Sequence, residues 1–131
     1  MRSLQPFFLL WSLALSGCGH FTYATYDVAS SSSSEAARIL RSFALQHGFQ
    51  AVPFSPPPKM ATGLGAYVTP GEDPIMVHGW EHQGRINITM FESGAKKTER
   101  FAALEAALRT RLRETFGNRV TFKSDVGQTK L

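Results

Sequence analysis

The densest group of chemically active side chains lies at residues 78–82, where two histidines and one glutamate occur within five positions. Imidazole nitrogens and carboxylate oxygens are zinc ligands, so such a group would suit a metal site if its members could converge. Gly79 and the alternating pattern around it instead predict a strand. In a strand His78 and His82 share a face but lie ~13 Å apart, whereas zinc–nitrogen bonds are ~2 Å long. We therefore expect neither a metal site nor a cofactor here.

Other catalytic arrangements are also weakly represented. The serines lack the Gly-x-Ser-x-Gly pattern of a nucleophile elbow, and the run from Ser30 to Ser34 is typical of a flexible link. Glu81 and Glu92 lie on the two arms of a predicted hairpin and could face each other as the paired carboxylates of a glycoside hydrolase. Because any hairpin with two acidic residues offers this pairing, we expect no catalytic residues.

The only cysteine, Cys18, follows a short apolar segment. Arg2 gives the N-terminus a positive charge, and residues 6–15 form an apolar run that is shorter than the ~20 residues of a membrane-spanning helix. The small residues Ser16 and Gly17 then lead to the thiol. Without a second cysteine an exported domain has no disulfide and depends on its apolar core, for which 43% hydrophobic residues are sufficient.

The segment Leu15-Ser16-Gly17-Cys18 resembles the lipobox of bacterial lipoproteins. The resemblance covers residues 1–18 and implies that residues 1–17 are a signal peptide cleaved before Cys18. It also implies a covalent lipid on Cys18, a diacylglyceryl group with an N-acyl chain. Two or more acyl chains anchor a protein durably to a membrane, whereas one anchors it only marginally. Gly19 in place of aspartate implies the outer membrane, facing the periplasm, if the host has two membranes.

Removal of the signal peptide would leave 114 residues, which is the size of one ordinary domain. Residues 18–34 are expected to hold the lipidated anchor, a first strand at 21–28 and the serine-rich link. Residues 35–126 are expected to form a single domain, with a frayed tail at 127–131.

Hydrophobic spacing predicts both helices and strands in the mature chain. Apolar residues that recur every three or four positions predict helices at 35–47 and about 95–116. Ser32 and Glu35 match a capping box at the start of the first helix. Period-two alternation predicts strands, with Gln83-Gly84 closing a hairpin. The further predicted strands are 49–54, 75–82, 85–92 and 119–125, with an extra one at 64–68.

This order of elements predicts an α+β fold. The expected architecture is a small two-layer sandwich, in which an antiparallel sheet carries both helices on one face. The ferredoxin-like (split βαβ) arrangement, with one extra strand, is the best-known topology of this kind.

The second predicted helix carries the candidate binding surface. Its basic residues Arg100, Arg109, Arg111 and Arg113 are spread over the solvent side. With a net charge of +4, the protein suits an anionic membrane or cell-wall polymer, although a generic basic protein has the same balance. The structural alternative is a solvated helix face that complements the helix dipole.

The sequence therefore predicts a non-enzymatic binding or accessory module, held at the membrane of the cell envelope by its lipid. An envelope protein or peptidoglycan is the expected partner, and nucleic acid is not. Two alternatives remain open. One is a small envelope hydrolase with carboxylate or histidine chemistry around residues 78–92, which requires Glu81, His82 and Glu92 to converge. The other is an inhibitor of a periplasmic enzyme that presents the loop at residues 55–74.

Overall fold

The computed structural model describes residues 20–128. The elements in chain order are β1 (His20–Ala29), α1 (Ser33–Gln46), β2 (Gln50–Val52), β3 (Thr62–Val68), β4 (Ile75–His82), β5 (Arg85–Ser93), α2 (Glu99–Phe116) and β6 (Val120–Gln128). The predicted signal peptide and Cys18 lie outside the described residues. Within residues 20–128 no helix has both the length and the apolar character needed to cross a membrane.

The six strands form one antiparallel sheet in the order β2-β3-β4-β5-β1-β6. Both helices contribute their apolar sides to the same core, on one face of this sheet. The predicted α+β sandwich is therefore confirmed. The order β4-β5-β1-β6, with a helix after β1 and another after β5, is that of the split βαβ arrangement. β2 and β3 extend the sheet beyond β4.

β1 is an inner strand of the sheet rather than a lead-in to it. It pairs with β5 on one side and with β6 on the other along its whole length. Alternate side chains from Thr22 to Val28 are buried, because successive residues of a strand point to opposite faces. The predicted domain boundary at residue 35 is thus too late, and the folded domain includes the strand from His20.

The core lies between the helices and one face of the sheet. Fully buried side chains from both layers meet there, including Phe43 of α1, Leu108 and Leu112 of α2, and Ile88 of β5. Tyr26 of β1 is also fully buried, and its hydroxyl donates a hydrogen bond to the backbone carbonyl of Glu105 at 2.7 Å. This bond joins the centre of the sheet to α2.

The predicted capping box at α1 is wrong. Ser32 is the N-cap residue, but its side chain makes no capping hydrogen bond. Its backbone N–H instead donates to the hydroxyl of Ser30 at 3.0 Å, and the carboxylate of Glu35 pairs with Arg38 in the next turn. The successive serines offer the backbone a competing local partner, which is the property that makes serine common in turns.

α2 begins at Glu99, later than the predicted start near residue 95, because Thr98 supplies its cap. The Thr98 hydroxyl accepts a hydrogen bond from the backbone N–H of Phe101 at 3.1 Å and donates one to the Glu92 carboxylate at 2.8 Å. The cap is therefore tied to the end of β5, and residues 94–98 form a loop.

β2 is shorter than its prediction of residues 49–54, since it ends at Val52. Pro53 follows and has no backbone N–H to donate to the sheet. The predicted hairpin at Gln83-Gly84 is confirmed, with φ of +52° and +78° at these two residues. Two successive positive φ angles match the twist of the flanking strands.

Candidate binding surfaces

β4 is a strand, as predicted, and it separates the two histidines of the 78–82 group. His78 and His82 lie on the sheet face opposite the helices, and the His78 ring is in stacked contact with both Phe54 and Trp80. Within residues 20–128 no three His, Cys, Asp or Glu side chains are grouped closely enough to hold a metal ion.

Glu81 and Glu92 do not form a pair of facing carboxylates. Glu92 is opposite Ile75 at one end of the β4–β5 hairpin, and Glu81 is near the turn at the other end, ~20 Å away at ~3.3 Å per residue. The catalytic carboxylates of glycosidases are only ~5–10 Å apart. Glu81 accepts a hydrogen bond from the Gly84 N–H at 3.1 Å, and His82 projects from the other face of the sheet. The convergence that the hydrolase alternative requires is not present in these three side chains.

Residues 55–74 do not form one loop, because β3 lies within this stretch. The exposed part before β3 contains Pro56, Pro57 and Pro58 and ends near Met60, whose side chain is 95% exposed. Of the predicted loop, only residues 55–61 and the short turn between β3 and β4 lie outside a strand.

Three of the four arginines on the candidate surface of α2 contact other parts of the domain. Arg100 donates to Thr69 Oγ1 at 2.8 Å, Arg109 lies 4.5 Å from the centre of the Phe122 ring, and Arg111 donates to Ser42 Oγ and Gln46 Oε1 at 2.7 Å each. These partners belong to the β3–β4 turn, to β6 and to α1, so the guanidinium groups point to different sides of the helix. Arg113 is exposed.

The sheet face opposite the helices, here called the open face, carries a cluster of partly exposed aromatic rings. Strand alternation places them there, since their sequence neighbours point into the core. We call this cluster the aromatic patch: it consists of Phe21, Tyr23, Phe54, His78, Trp80 and Phe91.

His78 is at the centre of the aromatic patch. Its ring centroid lies 5.0 Å from that of Phe54 and 5.7 Å from that of Trp80, both in stacked geometry, and 6.2 Å from that of Phe91 in edge geometry. Burial lowers the pKa of His78 to about 4, so the imidazole is neutral near pH 7. The side chain therefore behaves as one more aromatic ring.

Phe54 reaches the aromatic patch from outside the sheet. Because β2 ends before Pro53, the chain leaves the sheet edge and returns over the open face. Pro56 follows it and lies next to Gly63 of β3. The sequence pattern predicts Phe54 only as the last residue of a strand. Pro53 is the residue that indicates that the chain leaves the hydrogen-bonded sheet before Phe54.

A concave surface lies on the helix side of the sheet, where α1 passes over β3. We call it the α1–β3 groove. Its volume is about 660 Å³, and its lining residues are Ser34, Ala37, Arg38, Arg41, Ser42, Leu45, Leu64 and Tyr67. Pockets for small ligands have volumes of ~300–1,000 Å³. Sequence patterning does not indicate this groove, because it exists only through the placement of α1 at the edge of the extended sheet.

Two arginines give the α1–β3 groove its charge. Arg38 forms an ion pair with Glu35 on the helix surface. Arg41 is exposed, and within residues 20–128 it forms no ion pair. Burial raises the pKa of the Tyr67 phenol, while the positive charge of Arg41 opposes that rise. The guanidinium and the phenol are thus close enough to interact electrostatically.

No known protein family matches this chain, and no curated protein sequence matches it. The class of the protein is therefore defined by its fold: a two-layer α+β sandwich with one aromatic sheet face and one basic groove beside its first helix.

Proposed function

We propose that this chain is a lipid-anchored protein of the bacterial cell envelope whose α+β domain is a binding module rather than an enzyme. The observation that carries the proposal is the lipobox-like segment from Leu15 to Cys18. A diacylglyceryl group and an N-acyl chain on Cys18 would hold the domain at the membrane. In a host with two membranes the site is the outer membrane, facing the periplasm.

The short distance between Cys18 and β1 would orient the domain. Gly19 alone separates Cys18 from His20, so the lipid would lie within ~7 Å of the first residue of β1. The Gly94 N–H donates to the His20 carbonyl at 2.9 Å, which places the β5–α2 loop at the same end. β1 has ten residues and extends ~33 Å, so the opposite end of the sheet would be held away from the bilayer.

The aromatic patch is the structural support for a binding role. Both helices cover the other face of the sheet, whereas the rings of the aromatic patch, Phe54 included, are partly exposed on the open face. Partly exposed aromatic rings provide apolar area and stacking surfaces for a partner. With the strands directed away from the bilayer, this face would be accessible from the side to an envelope protein or to peptidoglycan.

Fatty-acid labelling in the host tests the anchor. Cells expressing the wild type are grown with radiolabelled palmitate, in parallel with Cys18→Ser and with Ser16→Ala, which keeps a small residue before the cysteine. We expect label in the wild type and Ser16→Ala proteins and none in Cys18→Ser. Label that persists in Cys18→Ser would refute lipid attachment at this residue.

Photo-crosslinking in intact cells tests the binding role of the open face. A benzophenone amino acid replaces Tyr23 in the aromatic patch or Thr115, which is exposed near the end of α2. We expect a discrete crosslinked product from position 23 and none from position 115. If position 23 gives no product, or both positions give the same one, the open face is not the specific binding surface.

A further inference from the structure

We propose that the α1–β3 groove binds an extended peptide segment that carries carboxylate side chains. This inference adds a second binding surface to the domain, with an occupant of different chemistry from that of the aromatic patch.

The groove lies beside an open strand edge. β2 pairs with Ala66–Val68 only, and within residues 20–128 no strand pairs with the outer side of β3 over residues 62–65. Phe54 and Pro56 lie against Gly63 from the open face, and the outer edge of β3 beside the groove can pair with an extended peptide, which is a common mode of peptide binding. Leu64, in the same stretch, lines the groove.

The dimensions of the groove suit a short extended segment. Ser34 and Leu45 mark its two ends along α1, and at ~1.5 Å per residue they are ~16 Å apart. At ~3.3 Å per residue, this length holds about five residues of an extended chain. A peptide is therefore a better match to the groove than a compact small molecule.

The charge of the groove indicates carboxylates on that peptide. Its lining contains no acidic residue but two arginines, of which Arg38 is paired with Glu35 and Arg41 forms no ion pair within residues 20–128. The planar guanidinium binds a carboxylate through two parallel hydrogen bonds, and the nearby hydroxyls of Ser34 and Tyr67 can add further donors. Leu45, which is 63% exposed, offers apolar contact to side chains between the charged ones.

The orientation of α1 disfavours membrane headgroups as the source of the negative charge. This step rests on the proposed lipid anchor. α1 begins just after Ala29, at the end of β1 opposite His20, and runs back from there at ~1.5 Å per residue, so Ser34 would be ~30 Å and Arg41 ~20 Å from the anchor. An acidic segment of an envelope protein can reach that end of the domain, whereas lipids of the same bilayer cannot.

Fluorescence anisotropy with a defined probe tests the inference. The probe is a fluorescein-labelled hexapeptide of alternating glutamate and valine, and the matched control peptide alternates lysine and valine. Each is titrated with the full chain purified in detergent micelles. We expect saturable binding of the acidic peptide and none of the basic one.

Two charge-loss variants locate the binding. Arg41→Gln should weaken the affinity for the acidic peptide about tenfold, which is ~1.4 kcal/mol and typical of one lost charge-assisted hydrogen bond. Lys96→Gln removes the same charge from the exposed β5–α2 loop and should change the affinity less than about twofold. Circular dichroism checks that both variants are folded. Arg41→Lys keeps the charge but not the planar guanidinium, so its affinity for the acidic peptide should lie between those of the wild type and Arg41→Gln.

Three results would overturn the inference: no binding of the acidic peptide, equal binding of both peptides, or equal effects of Arg41→Gln and Lys96→Gln. The assay does not depend on the lipid, because Cys18→Ser should bind the acidic peptide as well as the wild type does. Failure of the anchor and failure of the groove are therefore observed in separate experiments.

Discussion

Acidification should destabilise the domain through His78, the central ring of the aromatic patch. The imidazole is in stacked contact with Phe54 and with Trp80, and its cross-strand neighbours Thr89 and Ala66 are uncharged. Burial lowers the pKa of His78 to about 4. An imidazole in the unfolded chain has a pKa of about 6.5, so between these two values the unfolded chain binds the proton more strongly.

The direction and size of the effect follow from those two pKa values. The contribution of the neutral His78 to the free energy of unfolding is fully present above about pH 6.5 and is lost as the pH falls towards 4. By pH 5 the loss that is due to His78 is ~2 kcal/mol, and below pH 4 it approaches ~3 kcal/mol, at ~1.4 kcal/mol per pKa unit. This is a substantial share of the ~5–15 kcal/mol by which ordinary domains are stable.

Urea unfolding at pH 7.5 and pH 5.0 measures the effect, with His78→Phe as the matched variant. Phenylalanine keeps an aromatic ring in the stack but cannot bind a proton, and the carboxylates that titrate in this range are the same in both proteins. We expect the wild type to lose ~2 kcal/mol more free energy of unfolding than His78→Phe between the two pH values. Equal losses in the two proteins would refute the burial of a neutral His78.

Two further substitutions test the contacts that position the elements, each by the urea midpoint. Tyr26→Phe removes the buried hydrogen bond to the Glu105 carbonyl and should lower the free energy of unfolding by ~1–2 kcal/mol. The control Tyr23→Phe, on the open face, should lower it by less than ~0.5 kcal/mol. Equal losses would contradict the structural role of that bond. Thr98→Ala removes the cap of α2 and should lower the free energy of unfolding by ~1–2 kcal/mol. Ser32→Ala should change it by less than ~0.5 kcal/mol, since the Ser32 side chain makes no capping hydrogen bond. A larger loss at Ser32 would show that its side chain does cap α1.

Local patterning predicts most of the elements because each has a face buried in the core. Ile86, Ile88 and Met90 alternate with polar residues and are fully buried, which is why β5 is recognisable from sequence. Local patterning does not specify the order of the strands in the sheet. β1 pairs with residues more than 50 positions away, and nothing in the spacing of Ala24 or Tyr26 specifies those partners.

Element ends depended on which partner each polar side chain contacts, and the residue pattern does not specify that partner. Residues 95–97 are compatible with a helix, but Thr98 bonds to Glu92 and begins α2 at Glu99. Ser32 has the residue type of an N-cap, yet its backbone N–H is held by Ser30. In both places a short polar side chain had more than one available partner, and the sequence pattern does not distinguish among them.

The binding surfaces were only partly accessible to sequence reasoning. The arginines of α2 are recognisable as a basic face, but the contacts of Arg100 with Thr69 and of Arg109 with Phe122 arise from the fold. The aromatic residues of β1 were recognisable as strand residues. Which face of the sheet stays open depends on where both helices pack, and the arrival of Phe54 depends on the chain leaving the sheet at Pro53.

Lipid attachment at Cys18 is tested most directly by the mass of the N-terminal peptide of the protein extracted from host membranes. We expect a chain that begins at Cys18, with the mass of a diacylglyceryl group and an N-acyl chain added to that residue. An unmodified Cys18, or a peptide that still contains residues 1–17, would contradict it.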